Sequence, residues 1–224
     1  MKEMRNGNEE MKECQPQRWY TIISTFLHFH FSFLSFLTLY MVYLNDDIAH
    51  FDFEAALPLL SEQRREQALK FRHELGRKTC AAAYLLLCEG LRQEYGITQP
   101  PTFAYGEHGK PSIVGHPEIH FNMSHCREAA ICVLSDRPVG VDIESIREYK
   151  ESLARYTMND DELQQIMTAE RPDVEFIRLW TMKEAVLKRS GRGIVDDMKG
   201  ALVGTKGIKT VINEKKSYIY SIVY

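Results

Sequence analysis

Residues 129–144 read Ala129-Ala-Ile-Cys-Val-Leu-Ser-Asp-Arg-Pro-Val-Gly-Val-Asp-Ile-Glu144. The apolar run 129–134 reads as a strand, Ser135-Asp-Arg-Pro138 as a turn, and 139–143 as the next strand. Side chains alternate faces along a strand, so Asp142 and Glu144 project to one side while Val141 and Ile143 turn toward a core. Two carboxylates sharing a face repel and need a cation. Oxygen ligands at this spacing suit Mg²⁺, which keeps several waters and takes a few carboxylates plus a substrate phosphate. On pattern alone, a solvent-exposed polar face of an edge strand is the simpler explanation.

Around this stretch the pattern is α+β with antiparallel strands. A strand is expected at 41–44. The span 61–95 is nearly free of Gly and Pro and rich in Glu, Gln, Arg, Ala and Leu, which predicts helix, broken near Gly76 and ended by Pro100 and Pro101. Short strands follow at 102–105 and 119–123, with Gly106-Glu-His-Gly-Lys-Pro111 as a turn between them. Residues 147–168 fit one or two short amphipathic helices. Pro172 opens a strong helix to about Ser190, with Gly191 and Gly193 as stop signals. The stretches 208–212 and 218–224, parted by Asn-Glu-Lys-Lys-Ser, read as a closing hairpin.

Composition narrows the functional classes. With 28 Lys and Arg against 31 Asp and Glu, the net charge of −3 argues against a nucleic-acid binder. The five cysteines, at 14, 80, 88, 126 and 132, form no Cys-x-x-Cys pair, so a reducing, cytoplasmic setting fits better than a disulfide framework. From Trp19 to Asn45 there is no Asp, Glu, Lys or Arg, and the run is long enough to cross a bilayer as a helix. Its Ser, Thr, Phe and His content, with His28 and His30 at its middle, weakens that reading. Residues 1–40 are expected to be a non-native or disordered apolar extension ahead of a chain starting at Met41. A membrane is a partner only if 19–44 is a real anchor.

Three further constellations carry chemistry. In Phe176-Ile-Arg-Leu-Trp-Thr-Met-Lys-Glu-Ala-Val-Leu-Lys188, helical spacing puts Trp180, Glu184 and Lys188 on one stripe, although a Glu-to-Lys pair in that order also serves any exposed helix. In Phe121-Asn-Met-Ser-His125, an extended segment gives way to a polar turn whose Ser124 and His125 can hold a phosphate, or simply cap and solvate. Gly109-Lys110-Pro111 lacks the glycine and Ser/Thr frame of a P-loop and presents one lysine on a rigid turn. Arg64, Arg65, Lys70, Arg72, Arg77 and Lys78 make the first helical region basic, with glutamates interleaved as on a salt-bridged surface.

Taken in order, Gly-Lys-Pro, Phe-Asn-x-Ser-His, Val-Gly-Val-Asp-Ile-Glu and Trp-x-x-Lys-Glu-Ala-x-x-Lys resemble the 4′-phosphopantetheinyl transferase superfamily, in its longer, single-chain, synthase-activating form. The resemblance covers about residues 41–224. It implies a pseudo-dimer of two similar α+β halves, 41–120 and 121–224, with coenzyme A at their junction, in a monomer. It further implies that Asp142, Glu144 and Glu184 hold Mg²⁺ and that Lys188 meets the coenzyme A phosphates. Lys110, Ser124 and His125 would line the nucleotide site, joined by Arg64 and, in looser register, Arg77 and Lys78. The implied reaction moves 4′-phosphopantetheine from coenzyme A to a serine of an acyl or peptidyl carrier protein and releases 3′,5′-ADP. Glu184 is then the candidate base and Lys188 its catalytic companion. The alternative is a membrane-anchored module that binds coenzyme A or a carrier protein without catalysis.

Overall fold

The computed structural model describes residues 40–191 and 198–224. The expected extension or anchor before Tyr40 and the stop signal at Gly193 therefore lie outside the described residues. The charge-free N-terminal run ends inside strand β1, Tyr40–Asn45. After a 3-10 turn come α1, Phe53–Ala56, and a second 3-10 turn. Ser61 opens α2, Glu62–Leu69, by accepting the Arg64 amide. Helix α3, Glu74–Tyr95, closes on Gly96 in the left-handed region at φ 67°. A small hairpin pairs β2, Phe103–Tyr105, with β3, Pro111–Ile113. Then follow β4, His120–His125, β5, Ala130–Ser135, and β6, Gly140–Ser145. Two short helices, α4, Glu151–Thr157, and α5, Asp160–Thr168, lead to α6, Pro172–Ser190. Strands β7, Ile208–Asn213, and β8, Tyr218–Val223, close the chain as the expected hairpin. Among the described residues no helix is long and apolar enough to cross a membrane.

Two expectations need correction. The first helical region breaks at 70–73, not at Gly76, which lies in the first turn of α3. That glycine serves close packing: a Cβ there would stand 2.6 Å from Phe71 Cδ1. Ser124 and His125 are not in a turn but end β4, paired with Ile131 and Ala130 of β5.

The strands form two three-stranded antiparallel sheets, ordered β1–β5–β4 and β6–β8–β7. The turn at 135–138 thus carries the chain from the centre of one sheet to the edge of the other. In each sheet, the strand that comes first in the chain pairs with the last strand of a closing hairpin, and helices lie between them in sequence. By strand order the first unit runs from β1 to β5 and the second from β6 to β8. A division at 120–121 would cut β4 at its first residue.

Alternation explains how three cores share the strands. Cys132 and Leu134 of β5 pack with Tyr84, Leu85, Leu86 and Leu91 of α3. Ile131 and Val133 face the other way, with Val42 and Leu44, against Val141, Ile143, Tyr220 and Ile222 of the second sheet. A third core packs Ala154, Ile166, Phe176, Ile177 and Leu179 of the later helices on Ile219. Helix α6 lies so close to β6 that a Cβ on Gly140 would meet Ala185 O at 2.0 Å and Arg189 N at 2.5 Å, both backbone atoms. Gly140→Ala must push α6 away, and overpacking of this kind costs about 1–3 kcal/mol. Urea unfolding should show a loss of that size; a neutral substitution would mean that the helix tolerates the shift.

Candidate active site

The edge strands of the two sheets, β4 and β6, meet along a seam, and polar side chains of β4 stitch it. Asn122 Oδ1 accepts the Val141 amide at 2.8 Å, and Ser124 Oγ accepts the Ile143 amide at 3.4 Å. Such bonds satisfy edge N–H groups that would otherwise be buried without partners. Ser124 Oγ donates its one proton to Asp142 Oδ1 at 2.8 Å and accepts from Lys188 Nζ at 3.0 Å, so its hydrogen-bonding capacity is filled. Lys188 Nζ also lies 2.5 Å from Asp142 Oδ1. The residue at the centre, Asp142, is 3% exposed, and its second oxygen, Oδ2, is buried without a hydrogen-bond partner.

Glu144, two residues along β6, is half-buried and pairs with Arg147 at 3.1 Å. Glu184, from α6, is buried. Burial first and the nearby charge of Asp142 second push both carboxyl groups above their ordinary pKa, and Glu144 adds to the effect on Glu184. The three acidic side chains expected to act together therefore share one electrostatic neighbourhood. They do not stand as a finished cage: among the described residues no group of three His, Cys, Asp or Glu side chains is assembled to hold a metal. The donor set fits a divalent cation all the same, because the orphaned Asp142 Oδ2 and two carboxylates penalised by burial and by the charge of Asp142 are what such an ion relieves.

Beside this cluster lies a cleft of about 230 Å³, lined among others by His108, Lys110, Asn122, Glu184 and Lys188. Lys110 reaches from the β2–β3 turn to donate to Arg189 O at 2.9 Å and Val139 O at 3.3 Å. It thereby ties that turn to the end of α6 and the start of β6, while burial and Arg189 lower its pKa. His125, exposed at the end of β4, has its pKa lowered by partial desolvation and by Lys188, with a smaller contribution from Arg64. Arg64 lays its guanidinium over the rings of Tyr84 and Phe103, at 5.0 and 5.5 Å.

The structure thus brings Asp142, Glu144, Glu184, Lys188, Ser124 and His125 together and places Lys110 and Arg64 beside them. Arg77 and Lys78 are engaged locally instead: Arg77 donates to Phe71 O at 2.9 Å, and Lys78 pairs with Glu74 at 3.0 Å and reaches Ala49 O. Trp180 packs against the third core, 6.0 Å from the Phe176 ring, and anchors α6. Two contributors escaped the sequence reading. Asn122 sits inside the Phe-Asn-x-Ser-His stretch, but no sequence rule marks it as a seam residue. Lys183 is wholly buried, donating to Met198 O at 2.6 Å and pairing with Glu162 at 2.8 Å, so it pins α6 to α5 and to the chain after residue 197. Glu162 also completes the capping box with Asn159, and that Asn-Asp-Asp-Glu signature was readable.

A family model described as the 4′-phosphopantetheinyl transferase superfamily matches residues 138–220, which span β6, α6 and most of the second sheet. The chain is 27% identical over 163 residues to a 4′-phosphopantetheinyl transferase of Bacillus subtilis, covering 70% of this chain and 72% of that protein. It is 31% identical over 154 residues to the transferase psf-1 of Bacillus pumilus, covering 67% and 66%. It is 25% identical over 161 residues to the transferase Sfp of Bacillus subtilis strain 168, covering 70% and 72%.

The crowded carboxylates also affect stability. Because the pKa of Glu184 is raised on folding, its ionisation opposes folding, fully above the folded pKa and not at all below the unfolded one. In EDTA, Glu184→Gln should raise Tm at pH 7.5 and bring no gain near pH 4. A Tm at pH 7.5 no higher than that of the unaltered protein would mean that Lys188 already offsets the charge.

Proposed function

Because the chain belongs to the 4′-phosphopantetheinyl transferase superfamily, we propose that it transfers 4′-phosphopantetheine from coenzyme A to a serine of an acyl or peptidyl carrier protein. The observation that carries this reading is the cluster of Asp142, Glu144, Glu184, Lys188 and Ser124 at the wall of an open cleft. In the reaction, the serine oxygen forms a bond to the β-phosphorus of coenzyme A, and the bond from that phosphorus to the departing 3′,5′-ADP breaks. Positioning and charge neutralisation dominate such transfers.

Asp142, Glu144 and Glu184 are the residues to hold Mg²⁺, which when bound supplies a Lewis acid for the diphosphate oxygens. Glu184 takes the serine proton. Lys188 and His125 hold phosphate charge from one side, and Lys110 adds positive potential at the cleft wall. Arg64 extends that potential toward the nucleotide. The repeated strand order supports a pseudo-dimer of two α+β halves in one chain, with coenzyme A in the cleft at their junction. A cytoplasmic monomer fits this reading.

Incubation with an apo carrier protein, coenzyme A and MgCl₂ tests it. Mass spectrometry should show the carrier gaining phosphopantetheine as 3′,5′-ADP is released in equal amount. Hydrolysis of coenzyme A with no modified acceptor would mean a phosphoesterase; binding without turnover would mean a recognition module. Glu184→Gln should lower kcat by roughly 10²–10⁴-fold, the usual weight of a general base. Lys188→Ala should chiefly weaken coenzyme A affinity. Unchanged kcat in the first variant, or unchanged affinity in the second, would remove that residue from its role.

A further inference from the structure

We propose that Lys188 is a place-holder for the divalent cation: in the metal-free protein its ammonium group neutralises Asp142 Oδ1, and the arriving cation displaces it into the cleft. The inference rests on the reading of the acidic cluster as a cation site. Asp142 cannot turn to water, since its side chain is 5% exposed, whereas the Lys188 side chain is 30% exposed and has room to move. Lys188 is the ion-pair partner of Asp142 among the described residues, at 2.5 Å. It also eases the ionisation of Glu144 and Glu184, so its single charge serves all three carboxylates.

A divalent ion drawn to the same three groups would face that ammonium across one buried carboxylate. Two like charges at such close quarters, away from bulk water, repel strongly. They therefore compete for Asp142. The loser of the exchange is Lys188, because a divalent ion neutralises more of the acidic charge. Its Ser124 bond, at 3.0 Å, ends on a hydroxyl that carries no opposing charge to hold it against that repulsion. Lys188 already lines the cleft, so the displaced ammonium faces whatever anion sits there. Filling the cation site thus builds an anion site a few ångströms away, and the same side chain keeps the empty site from straining the fold.

The competition is measurable without catalysis. MgCl₂ alone is titrated by calorimetry into the full chain, as wild type and as Lys188→Gln. Removing the competitor should tighten Mg²⁺ binding by roughly tenfold, within the span usual for coupled sites. The same variant should melt earlier in EDTA and be rescued further by MgCl₂ than the wild type. Affinity that is equal or weaker in Lys188→Gln, or no Mg²⁺ binding by either protein at millimolar concentration, overturns the proposal. Should the variant not fold, the wild type decides: the Lys188 Cε–Hε NMR signal must move on saturation with MgCl₂, and a fixed signal overturns the exchange. Carrier modification by the wild type, assayed separately, distinguishes the failures. Transfer without tighter Mg²⁺ binding in the variant sinks the exchange alone, and tighter binding without transfer sinks the transferase reading alone.

Discussion

An aspartate held at 3% exposure, with one oxygen shared between a lysine and a serine and the other bonded to nothing, is an unusual investment for a small α+β protein. Burying a carboxylate is costly unless charge and hydrogen bonds compensate. Here Asp142 is compensated on one side only. Much of the surrounding structure serves to keep it so: the seam between β4 and β6 supplies Ser124, the close approach of α6 to Gly140 supplies Lys188 and Glu184, and the apolar faces of both sheets exclude water from behind.

The placement of α6 is the constraint through which these parts are coupled. Its N-terminal half buries Phe176, Ile177 and Leu179 in the third core, and its C-terminal end touches the start of β6 where only glycine fits. At one position Lys183 runs inward to Glu162, and at the next Glu184 sits with Asp142 and Glu144. The helix is thereby fixed by one charged residue while the next takes its place among the carboxylates. Such division of labour suits phosphoryl chemistry, in which small displacements of charged groups are costly.

The two sheets repeat one strand order, yet the acidic cluster described above belongs to the second. In the first unit, the β1 residues that pack with the long helix are Met41 and Tyr43, and the Tyr43 hydroxyl donates to Glu94 at 2.7 Å. In the second, the corresponding strand turns Asp142 and Glu144 toward its helix. At the strand–helix contact the first sheet thus places Met41 and Tyr43 where the second places paired carboxylates.

Much was legible before any coordinates. Strand alternation at 139–144 put Asp142 and Glu144 on one face with Val141 and Ile143 behind, and helical spacing put Glu184 and Lys188 on one stripe; both depend only on local periodicity, which the backbone imposes. The break at 70–73 was misplaced because Gly76 looked like a helix stop, when its role is to admit Phe71 from another turn. Asn122, Lys183 and the local roles of Arg77 and Lys78 were equally hidden, for each is decided by a partner distant in the chain or by a backbone carbonyl that carries no sequence signal. The sequence by itself determined the elements, the polar faces they present and the chemistry those faces can support. Only the tertiary structure decided that the seam runs between β4 and β6, that Asp142 is buried there, and that Lys188 reaches it, because burial and charge pairing arise between segments and cannot be computed from spacing within one.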